Sequence, residues 1–296
     1  MDKYPLQDLH FCQLHRQKPW HRFFLKEIQS FYVLRDYRIY GRGQIEAAVI
    51  HGGPGAAGSV ASVAKRLSIK RAVIEPLQTK NTIKAQVEEL KDVLVANCSG
   101  PINLIGHSWG AWLACIFAER YPFMVKKIIL VASAPFEERY ALDISEKRIS
   151  RLTEKQRIRL DFLSGMLKQH GLKNKSIYLG ALSLVFLKTD SYDLIPGPYD
   201  KVNIKYNIYK DVWPEAEKLR KSGGLIDIIK RIDRPVTAIH GDYDPHAYLG
   251  VKEPLKKHIK NFSFILLKDC GHYPWLEKNS KDKFFKILNK EITYDK

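Results

Sequence analysis

The sequence predicts an α/β fold: a mostly parallel central sheet with helices on both faces and a helical insertion in its second half. Two observations carry this. Short apolar, β-branched runs alternate with longer helical patterns from about residue 47 to 131 and again from 236 onward, as in a parallel sheet covered on both faces. Between them, from Glu137 to about Arg231, the alternation gives way to charged, helix-favouring sequence with no clear buried strand.

Taken in order, Phe31 to Leu34 and Tyr37 to Tyr40 read as short antiparallel strands at a sheet edge, ahead of the turn Gly41-Arg42-Gly43. Ala47 to Ile50 is a buried strand, followed by a glycine turn at 51 to 55 and a helix over roughly 57 to 68. Ala72 to Ile74 is the next strand. A helix over about 81 to 97 follows, with Ile83, Val87, Leu90, Val93 and Leu94 at helical spacing. Ile102 to Ile105 is a strand that leads through a glycine turn into a helix from Ala111 to Tyr121, stopped near Pro122. Ile128 to Val131 completes the first half. The second half adds strand Val236 to Ile239, a helix near 249 to 260, strand Phe262 to Leu267 and a last helix around Lys281 to Leu288. Residues 1–136 and 232–296 are thus expected to form the core, and 137–231 a helical lid broken at Ile195-Pro196-Gly197-Pro198.

With 296 residues, 45% hydrophobic and 27% charged, the chain can bury a sizeable core and does not read as disordered or fibrous. Its formal charge is +17, from 49 basic and 32 acidic residues. The basic residues are scattered and no nucleic-acid motif accompanies them, so the expectation is a solvated basic surface, with no nucleic-acid partner. Cys12, Cys98, Cys115 and Cys270 lie too far apart for the short paired spacings of a zinc site and are read as reduced thiols. Without a signal-like opening or an apolar stretch of about 18 residues, the expected location is the cytoplasm, away from membranes.

The chemistry concentrates at four turns. Gly106-His107-Ser108-Trp109-Gly110 joins a strand to a helix and matches the G-x-S-x-G elbow, which lifts a serine above a sheet. A serine hydroxyl needs a base to take its proton and donors for the developing oxyanion. His51-Gly52-Gly53-Pro54-Gly55 follows an earlier strand and suits the second need, with the N–H of Gly53 and of Trp109 as the donor pair. The acid should follow a late strand: Asp244 is favoured, Asp242 competes, and Glu137 or Glu138 is a more distant alternative. His272, after the last strand pattern, is the expected base in the order nucleophile, acid, base. His258 reads as solvent-facing, His246 as lining the acid loop, and His51 and His107 receive no proton-transfer role. Neither a metal-ligand cluster nor a phosphate-cradling loop is visible, so no cofactor or metal is expected.

With those motifs in place, the chain resembles the α/β-hydrolase superfamily from about Phe31 to the last helix, particularly its proline iminopeptidase-like branch, which pairs HGGPG with GHSWG. That resemblance implies a lid that shapes the substrate pocket and, in aminopeptidases, lid carboxylates that hold a free amino group; Trp213 and Glu215, within Asp211 to Glu217, are the candidates for substrate binding. Where the branch carries an Asp-Gln-Arg-Gly-type loop, this chain reads Ile74-Glu75-Pro76-Leu77-Gln78. The leading expectation is therefore a serine hydrolase of a small ester or amide, acting on a small molecule or short peptide. The alternatives are a proline iminopeptidase and a non-catalytic ligand-binding protein of the same fold.

Overall fold

The computed structural model describes residues 36–293. The strand expected at Phe31 to Leu34 lies outside them, as does Cys12. A seven-stranded sheet runs in the order β1-β4-β2-β5-β6-β8-β9, where β1 is Tyr37–Tyr40, β2 Ile45–Ile50, β4 Ala72–Pro76, β5 Ile102–His107, β6 Val125–Val131, β8 Val236–Gly241 and β9 Phe262–Leu267. Edge strand β1 pairs antiparallel with β4; every other neighbour in the sheet is parallel. All residues of β4, β5 and β8 are buried, which explains why they read as continuous apolar runs.

Alternate side chains feed two cores. Ala48, Ile50 and Leu104 face α2 (Ile83–Asn97), α3 (Trp109–Arg120), α8 (Gly224–Lys230) and α9 (Leu249–His258), while Ala47, Val49 and Ile105 face α1 (Ala61–Leu67) and α10 (Lys281–Thr293). The chain leaves β2 to form β4 on one side and then returns to form β5 on the other. Ile50 therefore pairs with Gly106 at the point where the winding reverses, the crevice in which open α/β sheets bind ligands.

Between β6 and β8 lie α4 (Ile144–Ser150), α5 (Glu154–Lys168), α6 (Lys175–Thr189) and α7 (Tyr206–Lys221). Leu152, Leu163 and Val185 form a small core of their own. One expectation needs correction. The helix read from residue 57 begins at Ala61, because Ala56–Ala57 forms a strand, β3, that pairs antiparallel with Asn203–Ile204, β7, inside the insertion. Two residues are too few to show a period of two, so neither strand was visible as a pattern. Among the described cysteines, Cys98, Cys115 and Cys270 are free. No helix among the described residues is long and apolar enough to cross a membrane.

Candidate active site

Ser108 occupies the tight turn between β5 and α3 at φ 53 and ψ −116, a region disfavoured for any residue with a side chain. Its backbone is anchored at both ends: its N–H donates to the Val131 carbonyl at 3.1 Å, and its own carbonyl accepts from Ala111 at 3.1 Å. The turn closes only because Gly106 and Gly110 lack side chains; a Cβ on Gly106 would run into the Gly110 carbonyl. The HGGPG loop approaches from β2, and a Cβ on Gly52 would lie 3.1 Å from Ser108 Cβ and 2.7 Å from His107 Nδ1. Gly53 is exposed beside it with φ 41. Trp109 opens α3, where backbone N–H groups have no partner within the helix.

Both late loops converge on this point. His272 Nδ1 lies 2.7 Å from Asp244 Oδ2, and both residues are buried. A carboxylate only accepts, so Nδ1 carries the hydrogen and Nε2 keeps its lone pair. Burial by itself would raise the Asp244 pKa, but the facing imidazoles of His272, His246 and His240 outweigh it and hold the carboxyl well below its usual range. The competing acids are engaged elsewhere. Asp242 meets the Cys270 N–H and Lys268, Glu137 pairs with Arg139, and Glu138 with Arg220.

His107 ties the serine turn to the histidine loop. Its Nε2–H donates to the His272 carbonyl at 3.0 Å, and the two rings lie 4.7 Å apart. Burial, with His272 alongside, pushes the His107 pKa well down, so the ring is a neutral structural link. His51 is buried, its ring nitrogens against the carbonyls of Gly52 and Leu77.

Asp190 and Glu277, which sequence reasoning passed over, and His246, which it read as lining the acid loop, complete the setting. Asp190, at the end of α6, accepts the His272 N–H through its carbonyl at 2.7 Å, while Arg148 of α4 grips its carboxylate from two nitrogens. Glu277 is buried and accepts from the N–H groups of Gly271, Tyr192 and Asp193 at 2.7 to 2.9 Å. His246 shares Asp244 with His272. Its position two residues past the acid was a usable signal, since an aspartate side chain commonly accepts the backbone N–H two residues on, as it does here. Nothing local marks Asp190, which reaches the site only through the path of the insertion.

Trp213 and Glu215, the pair expected at the substrate, have partners within the protein. Glu215 accepts the Ile83 N–H at 2.9 Å at the start of α2, where orphan donors and the helix dipole favour a carboxylate. Trp213 stacks between Tyr209 and Trp112 and docks α7 on α3. Trp213 is half-buried in that stack, and Glu215 is exposed. Asp244, His246 and His272 bring two imidazoles and a carboxylate within 4.8 Å, a donor set known from metal sites. Here each imidazole points its Nδ1–H at the carboxylate, so neither Nδ1 offers a lone pair to a shared centre.

A buried acid–imidazole pair after β8 and β9, with a strained serine turn after β5, is the order in which an α/β-hydrolase sheet carries nucleophile elbow, acid and base. The family model described as alpha/beta hydrolase fold matches residues 71–279, and the chain belongs to that family. It is 26% identical over 217 residues to monoacylglycerol lipase ABHD6 of Bos taurus, a match covering 71% of this chain and 60% of that protein. Similar solved structures include VinJ (TM-score 0.60, 16% identity, 86% of this chain and 93% of the other) and a putative lipase of Acinetobacter baumannii (0.57, 22%, 86% and 87%). Proline iminopeptidase of Mycobacterium smegmatis is similar to the same degree (0.57, 17%, 86% and 93%).

Proposed function

We propose that the chain is a serine hydrolase that cleaves a small ester or amide through an acyl-enzyme on Ser108. The observation that carries this reading is the 2.7 Å bond between His272 Nδ1 and Asp244, which leaves Nε2 as the lone pair available to a serine hydroxyl. In the proposed cycle His272 takes the Ser108 proton as Oγ attacks the carbonyl, the N–H groups of Gly53 and Trp109 receive the oxyanion, and His272 returns the proton to the leaving group. Asp244 fixes the tautomer and stabilises the imidazolium. Water then attacks the acyl-enzyme by the same route. The insertion over 137–231 serves as the lid that shapes the acyl and leaving-group pockets.

An ester is favoured over an N-terminal proline peptide by the lid acids. Glu215 is taken by α2, Asp211 by Asn81 and Lys210, and Glu217 by Arg220 and Lys221, which leaves that helix poorly supplied with free carboxylates for a substrate ammonium group. The lipase relative adds monoacylglycerol-type esters to the substrates worth offering.

A fluorophosphonate probe tests the reading without a known substrate. Wild-type protein is expected to label and Ser108→Ala is not; unlabelled wild type, or an equally labelled variant, overturns the assignment and returns the chain to non-catalytic binding. Release rates from acetate, butyrate and monoacylglycerol esters against prolyl amides then separate the substrate classes.

A further inference from the structure

The acid loop holds a second imidazole that the proposed cycle does not use. His246 presents its backbone N–H and its Nδ1 to Asp244 Oδ1, at 2.9 and 2.8 Å, and its ring packs on that of His272 with centroids 4.5 Å apart and planes inclined by 30°. The other carboxylate oxygen, Oδ2, faces His272 Nδ1 at 2.7 Å and His240 Nε2 at 3.3 Å. His240 Nε2–H also donates to the His246 carbonyl at 3.0 Å. All four residues are buried. One carboxylate therefore serves three imidazoles and a backbone amide.

Sharing has two physical effects. Donors on Oδ1 stabilise the carboxylate charge, and this weakens its pull on a proton added to His272. The stacked rings also disfavour charging both at once. The groups facing His246 are Asp244 of its own loop, His240 of β8, His272, His107 at the end of β5, and Arg148 of α4, itself held by Asp190. Burial pushes its pKa down to about 4, with His272 and Arg148 acting the same way against the upward pull of Asp244. Over the neutral range it is an uncharged donor.

We propose that His246 is a positioning residue that holds Asp244 toward His272 and, by sharing the carboxylate, limits how strongly Asp244 stabilises the imidazolium formed in the proposed cycle. This rests on the reading of His272 as general base for Ser108.

The test is the rate of fluorophosphonate labelling of Ser108 from about pH 5 to about pH 9, in wild type, His246→Phe and His246→Asn, with thermal unfolding followed in the same buffers. Phenylalanine keeps a stacked ring without the donor, and asparagine offers an amide N–H near the place of Nδ1. In His246→Phe the midpoint of the acid limb is expected to rise by roughly half to one pH unit and the plateau rate to fall about tenfold, while His246→Asn returns the midpoint toward wild type. A lower plateau or melting temperature with an unmoved midpoint would mean a merely structural role and overturns the proposal, as would a downward shift. Should His246→Phe fail to fold, His246→Gln replaces it as the variant with a misplaced donor, and a midpoint equal to that of His246→Asn overturns the proposal in the same way. Failure of the underlying serine hydrolase reading shows separately, as wild-type protein that does not label at any pH.

Discussion

The serine side of the site and the acid–base side are held by different forces. Around Ser108 the determinant is shape: Gly106 and Gly110 meet where no side chain fits, and the serine sits at a strained φ of 53. Around His272 the determinant is charge, with Asp244 collecting imidazole and amide donors and Glu277 collecting three backbone N–H groups. A site built by shape fails when a methyl group is added. One built by charge fails when a formal charge is removed at constant shape, and that contrast orders the tests.

Asp244→Asn should show the largest effect on chemistry. The amide keeps the volume but presents a donor toward an Nδ1–H, so esterase turnover and probe labelling are expected to fall by about three to four orders of magnitude. Full activity would move the acid to Asp242 or to the Glu137 and Glu138 pair. Gly106→Ala should act on the fold instead, because its Cβ runs into the Gly110 carbonyl; urea unfolding is expected to report a loss of a few kcal/mol. Unchanged stability would show that the turn has room to relax and that shape is not what holds it.

Glu277→Gln is milder. Its side chain still offers one acceptor oxygen but has no charge to share among three donors, and the expected result is a fall of about tenfold in activity with a lowered melting temperature. A variant equal to wild type would remove charge as the organiser of the His272 loop. The smallest effect concerns acid stability. The folded-state pKa of His246 is pushed down to about 4 from the ordinary histidine value of 6.5, so the unfolded chain binds more protons across that interval. Stability that is full above the upper value is therefore lost as pH falls toward the lower one. Asp244, held low, loses its contribution in the same direction at still lower pH. Melting temperatures should fall from about pH 6.5 to about pH 4, less steeply in His246→Phe; parallel slopes would clear His246 of this role.

Much of this was legible in the sequence for physical reasons that differ by residue. Ile102 to Ile105 and Val236 to Ile239 are buried on both faces, so they announce themselves as apolar runs ahead of Ser108 and Asp244, while His272 comes after the half-buried apolar run Phe262 to Leu267. Pattern reading reached the helices of the insertion but not the β3 and β7 pairing, whose two-residue strands carry no period. It offered Trp213 and Glu215 for substrate binding, and an exposed acid beside an aromatic reads the same in sequence whether it meets a ligand or the N-terminus of another helix. Asp190 was invisible for a third reason. It lies 82 positions before His272 in the chain, and only the folded insertion brings the two into contact.

The stitching of residues 190–195 to residues 271–278 also has a consequence for protein engineering. His272 donates to the Asp190 carbonyl, Gly271 has no Cβ where that carbonyl sits, Ile195 donates to Leu276, and Lys278 donates to Asp193. Insertion and histidine loop are therefore one exchangeable cassette in two sequence pieces. A chimera that imports a foreign insertion at 137–231 without the matching 270–278 segment would mismatch the backbone of its own base loop, whereas one that imports both pieces together carries the seam intact.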